Sequence, residues 1–183
     1  MNKILFSLLI LVAFAVQAQD KTINWITWQE AIAQREQFIK ENKEAIDEQK
    51  IMPKKFFIDI YTDWCGWCKR MDATTFADPM IVDYMNANYY AVKMDAEMKD
   101  VITFNNYTFT NPNPEAKRST HMLPASLLDN RLSYPSYVIM DENINRAVIF
   151  PGYKSSEDLI GILAFFKTNQ HLSYKQFLES QQK

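Results

Sequence analysis

The chain's only two cysteines lie in Trp64-Cys65-Gly66-Trp67-Cys68-Lys69, spaced C-x-x-C, directly after the apolar run Phe56-Phe57-Ile58-Asp59-Ile60-Tyr61. Such a run of β-branched and aromatic residues predicts a buried strand. The cysteines therefore fall where a strand ends and a helix begins. In disulfide exchange the thiolate, not the thiol, is the nucleophile, and the unpaired N–H groups of a helix N-terminus stabilise that anion. Cys65, first into the helix, is the expected attacking thiol. Cys68, one turn on, faces the same side and is placed to resolve a mixed disulfide by attacking the Cys65 sulfur.

The beginning of the sequence bears on where such chemistry would operate. Lys3 supplies a positive start, Ile4 through Val16 is an almost unbroken apolar run, and Val16-Gln17-Ala18 offers small residues for cleavage. The run is short for a membrane span of about 20 residues. Residues 1–18 read as a secretory signal peptide, with a mature chain beginning near Gln19 and no stable membrane insertion after cleavage. An uncleaved anchor is the competing reading. No cysteine lies near residue 18, so lipid attachment at a cleavage-site cysteine is not available. The expected location is periplasmic or otherwise exported.

Export sharpens the meaning of the cysteine count. Small secreted proteins often carry several disulfides, but a single close pair closes too small a loop to constrain much of the chain. A structural staple is the weaker reading, and a metal site weaker still, because His121 and His171 are distant in sequence and no second C-x-x-C is present. The nine methionines show no Met-x-x-Met cluster and read as core filler rather than as a copper site. No cofactor is expected. A formal charge of −2 gives no electrostatic reason to expect nucleic acid, and three glycines leave little material for phosphate-cradling loops. About 165 residues would remain after cleavage, enough for one domain, 19–183, with a substantial core.

The order of elements alternates. Thr27-x-x-Glu30 is a capping-box pattern opening a helix toward Gln49. A strand over 55–61 and the Cys65 helix follow, then a helix begun by Asp78-Pro79 and running to about Ala87, and a strand from Tyr89 to Met94. Residues 97–133 predict helices near 98–106 and 119–129, separated by Asn111-Pro112-Asn113-Pro114. Ser136–Met140 and Arg146–Phe150 read as a hairpin, Ser155 caps an amphipathic helix ending near Thr168, and Ser173 caps a last one.

The segment from Asp59 to Lys69 resembles the active-site signature of thioredoxins. Asp59, six residues before Cys65, matches the family's buried aspartate, and Trp64 matches the tryptophan before its first cysteine. Pro135, ahead of an apolar strand in Ser133-Tyr134-Pro135-Ser136-Tyr137, matches its cis-proline, and Lys93 a lysine near the aspartate. The likeness spans roughly residues 50–168. In detail it is most similar to exported thioredoxin-like proteins of the Bacteroidetes, here with a Cys-Gly-Trp-Cys centre. The resemblance implies an α/β thioredoxin fold, a central mixed sheet flanked by helices, with an N-terminal helix, a helical insertion before the cis-proline and an extra C-terminal helix.

It also implies a thiol–disulfide oxidoreductase acting on protein disulfides, with a membrane electron donor or acceptor as redox partner. Asp59 would move a proton to or from Cys68; a carboxylate within a strand is costly unless its pKa rises, which also makes it a better base. An exposed aspartate on an edge strand is the alternative. Trp64, Gly66 and Trp67 would form a docking rim, or the tryptophans would simply pack. A cis Pro135 would leave the Tyr134 backbone to pair with an extended substrate; a trans, strand-opening proline is the alternative. Two departures qualify the transfer. Gly66-Trp67 replaces the usual Gly-Pro, leaving reductase and oxidase or isomerase both open, as well as a non-enzymatic binding module. The insertion between Asp95 and Pro135, with Phe104, Tyr107 and Phe109, serves either partner choice or packing.

Overall fold

The computed structural model describes residues 21–173. The stretch read as a signal peptide lies outside the described residues. Helix α1 (Trp28–Glu41) opens on the Thr27–Glu30 capping box, with the Thr27 hydroxyl accepting from the Glu30 N–H and the Glu30 carboxylate accepting from the Thr27 N–H. It stops at Asn42, earlier than the expected Gln49, and a separate short helix α2 (Lys43–Asp47) follows. The Asn42 side-chain amide donates to the Phe38 carbonyl, competing with the helical backbone.

A four-stranded mixed sheet follows in spatial order β2-β1-β5-β6. Strand β1 (Lys55–Tyr61) pairs parallel with β2 (Tyr89–Asp95) and antiparallel with β5 (Ser136–Met140), which pairs antiparallel with β6 (Arg146–Pro151). A parallel bridge from Ile26 to Val92 extends the sheet beyond β2. Between β1 and β2 come α3 (Gly66–Ala73), a 3-10 turn at Thr75–Ala77 and α4 (Pro79–Asn88); the Asp78 carboxylate caps α4 by accepting from the Met80 N–H, with proline at the first helical position. Helix α6 (Ser156–Lys167) starts where Ser155 accepts from the Asp158 N–H. Residues 170–173 are already helical, so the next helix begins ahead of Ser173, which does not cap it.

The sheet is covered on both faces, which is why β1 reads as a continuous apolar run rather than an alternating one. Phe56, Ile58 and Ile60 join Trp28 and Ala31 of α1 in one cluster, while Phe57 joins Met71 of α3, Ile81 and Met85 of α4, and Leu159 and Leu163 of α6 in the other. Each buried Phe, Ile, Leu or Met side chain among these stabilises the fold by roughly 1.5–3 kcal/mol relative to exposure. The period-2 pattern assigns Asp59 to the Phe57 face, toward α3. This strand order and pairing, with the flanking helices, is the thioredoxin fold.

The insertion departs from expectation. In place of a helix over 98–106 there is a hairpin, β3 (Ile102–Phe104) against β4 (Tyr107–Phe109). Its two-residue turn, Asn105-Asn106, has both φ angles positive at 50° and 61°, the backbone that asparagine tolerates and a primed turn requires. Short alternating β-branched and aromatic residues on either side complete a hairpin signal. Only one short helix follows, α5 (Met122–Leu127), shorter than the expected 119–129. It is capped by His121, which is fully buried: Nδ1 accepts from the Leu123 N–H, so Nε2 carries the proton donated to the Asp100 carbonyl. Phe104 packs edge-on against Trp28 in the core, whereas Tyr107 is half exposed.

Candidate active site

Cys65 is the N-cap of α3 and is joined to Cys68 by a disulfide, with the two Cα atoms 5.3 Å apart. The chain enters this position through a tight turn after β1, in which the Cys65 N–H donates to the Thr62 carbonyl. The Cys68 N–H donates to the Cys65 sulfur at 3.0 Å. An N-terminal amide of α3 is thus directed at the Cys65 sulfur, the kind of contact that stabilises a thiolate. Cys68 is the more enclosed of the pair, at 2% exposure against 6% for Cys65.

Asp59 is 1% exposed on an interior strand, which removes the edge-strand alternative. Lys93 stands opposite it in the β1–β2 register and donates from Nζ to Asp59 Oδ2 at 2.6 Å. The other oxygen, Oδ1, has no hydrogen-bond partner among the described residues. Burial pushes the Asp59 carboxyl up to about 6, against the opposing pull of the Lys93 ammonium. Burial works to lower Lys93, but Asp59 and Asp72 outweigh it and hold the ammonium above its ordinary value. Tyr137, opposite Asp59 on the β5 side, donates to the Met71 sulfur, and its phenol is raised by burial and by Asp59.

Two tryptophans flank the disulfide, both more than half or about half exposed: Trp64 at 50% and Trp67 at 56%. Trp64 is nonetheless held, its Nε1–H donating to Glu97 Oε1 at 2.8 Å, its ring edge-on to Tyr134 at 5.8 Å and the Arg118 guanidinium 4.8 Å above it. On the far side Trp67 meets Tyr153 at 5.7 Å, with Arg70 over both rings. A Cβ added at Gly66 would meet nothing within 4 Å, so the surface between the cysteines is open.

The Tyr134–Pro135 peptide bond is cis. Pro135 is buried, its carbonyl accepting from the Gly152 N–H, and the Trp64–Tyr134 contact brings this loop to the cysteine helix. Among the described residues, neither the N–H nor the C=O of Tyr134 has a backbone partner. Cys65, Cys68, Trp64, Trp67, Gly66 and Tyr134 therefore share one end of the sheet, with Asp59 beneath. Sequence reasoning passed over Arg70, Arg118, Glu97, Tyr153 and Asp72. For Asp72 a signal existed: it follows Cys68 by four residues, the spacing that puts two side chains on one helix face.

A thioredoxin fold with a disulfide-bonded C-x-x-C pair starting the helix that follows β1 has the build of a thiol–disulfide oxidoreductase. The chain belongs to the Thioredox_DsbH family, described as a protein of unknown function, DUF255, which matches residues 11–111. Comparison with curated proteins returned no significant match. Among solved structures, a putative disulphide-isomerase from Bacteroides thetaiotaomicron is 20% identical, with 82% of this chain and 94% of that one covered and a TM-score of 0.49. A thioredoxin from Thermus thermophilus is 12% identical over 78% and 85% of the two chains, TM-score 0.49. The reduced DsbD C-terminal domain of Neisseria meningitidis is 20% identical over 74% and 93%, TM-score 0.44.

Proposed function

We propose that the protein is an exported thiol–disulfide oxidoreductase that reduces protein disulfides through Cys65 and Cys68. The observation that carries this reading is the cysteine pair itself: a disulfide between the N-cap and third residue of α3, with an amide aimed at Cys65 and a buried carboxyl beneath. In the reduced protein the Cys65 thiolate attacks one sulfur of a substrate disulfide, forming a mixed disulfide and expelling the other sulfur as a thiolate. Cys68 then attacks Cys65, the substrate leaves with two electrons and both protons, and the protein is left oxidised. Asp59 takes the Cys68 proton in that second step, directly or through water. Its raised pKa suits it as a base near neutral pH, and its unpartnered Oδ1 leaves an acceptor free.

Trp64 and Trp67 supply an apolar rim for the partner, and the unpaired Tyr134 backbone offers main-chain hydrogen bonds to an extended segment carrying the target cysteine. Export follows from residues 1–18 read as a signal peptide, and no helix among the described residues is long and apolar enough to cross a membrane. A periplasmic enzyme of this kind needs a membrane electron donor to restore Cys65 and Cys68. With dithiothreitol as electron source, the protein is expected to accelerate insulin disulfide reduction strongly, read as the onset of B-chain turbidity. A rate equal to dithiothreitol alone would remove the reductase reading.

A further inference from the structure

Lys93 does not serve Asp59 alone. Its ammonium also donates to Asp72 Oδ1 on α3, so a single cation is shared by two carboxylates from different elements. The side chains grade from surface to core: Asp72 is 44% exposed, Lys93 20% and Asp59 2%. Three rings fix the ammonium between them, with the centroids of Trp25 and Tyr61 each at 5.0 Å and of Phe76 at 5.3 Å. Asp72 and Lys93 also line a cavity of about 1020 Å³ with Trp25 and Phe76, a space whose lining does not include Asp59.

We propose that Asp72 is a positioning residue: by holding part of the Lys93 charge away from Asp59, it keeps the buried carboxyl able to retain a proton in the range where the cysteines exchange. This rests on the proton-transfer role proposed above for Asp59. The physical argument is electrostatic. A buried carboxylate opposite a fully committed ammonium would stay ionised, because the opposite charge favours the charged form. Dividing the ammonium weakens that pull, and the Asp72 charge itself repels a second negative charge nearby. The effect of Asp72 on Asp59 has this sign. The other titratable groups coupled to Asp59, Tyr137 from β5 and Tyr61 from its own strand, supply no positive charge.

The test is the carboxyl 13C titration of Asp59 in the oxidised full-length protein, compared between the natural sequence, Asp72→Asn and Asp72→Glu. Asp72→Asn is expected to move the Asp59 midpoint to lower pH, and Asp72→Glu to return it, because only the charge is restored. The acid limb of the Cys68 resolving step, followed in single turnover, should move the same way. Asp72 is half exposed, so its loss does not threaten folding. Coincident Asp59 midpoints in the natural protein and Asp72→Asn would overturn the proposal. A midpoint that moves while the exchange profile stays fixed would support the Asp72 assignment and overturn instead the proton-transfer role of Asp59.

Discussion

Cys65→Ser is expected to bring disulfide reduction down to the rate of the chemical reductant alone, whereas Cys68→Ser should attack once and then stall. The two cysteines have the same chemistry but different places: Cys65 is the N-cap whose sulfur receives the Cys68 amide, and Cys68 is buried behind it. Without Cys65 nothing at the surface can open the substrate disulfide. Without Cys68 the mixed disulfide has no internal thiol to displace it and accumulates as a covalent complex. The complex is visible on a non-reducing gel and disappears on adding dithiothreitol. A trapped complex with Cys65→Ser and none with Cys68→Ser would reverse the assignment.

Asp59→Asn is expected to make the protein more stable at neutral pH and less able to complete exchange. The Asp59 carboxyl titrates near 6 in the folded protein against an ordinary 3.8, so the folded state binds its proton more tightly than the unfolded state. The stability arising from that proton is fully present below 3.8 and is lost as the pH rises through about 6. Above that, the ionised buried group costs on the order of 2–3 kcal/mol, a cost that asparagine does not carry. Denaturation midpoints of the two proteins should therefore separate between pH 4 and 7, with the variant ahead at the upper end. Curves that run parallel across this range would mean that Asp59 does not titrate there.

Much of this site is legible in the sequence because it is built from local patterns. The apolar run of β1 has to be buried on both faces, which forces Asp59 into the interior, and the C-x-x-C spacing at the strand's end puts both sulfurs at one helix start. The caps at Thr27, Asp78 and Ser155 are short-range signals of the same kind. What was not legible depends on competition or on distance. The Asn105-Asn106 turn reverses the chain within a segment that otherwise lacks helix breakers, and Asn42 breaks a helix with one side-chain bond to Phe38. The Arg118 contact with Trp64 and the division of Lys93 between Asp59 and Asp72 join elements far apart in sequence, and no periodicity announces them.

In the proposed reductase role, electrons flow from Cys65 and Cys68 to protein disulfides. A strong oxidant needs a thiolate heavily stabilised in the reduced form. Here Cys65 receives one amide hydrogen bond, and the guanidinium groups of Arg118 and Arg70 are engaged over Trp64 and Trp67. The most direct test is the reduction potential of the Cys65–Cys68 pair, measured by equilibration in glutathione or dithiothreitol redox buffers. A reductase of this kind is expected to have a value close to that of thioredoxin, about −270 mV, and a value near that of the oxidant DsbA, about −120 mV, would overturn the proposed direction.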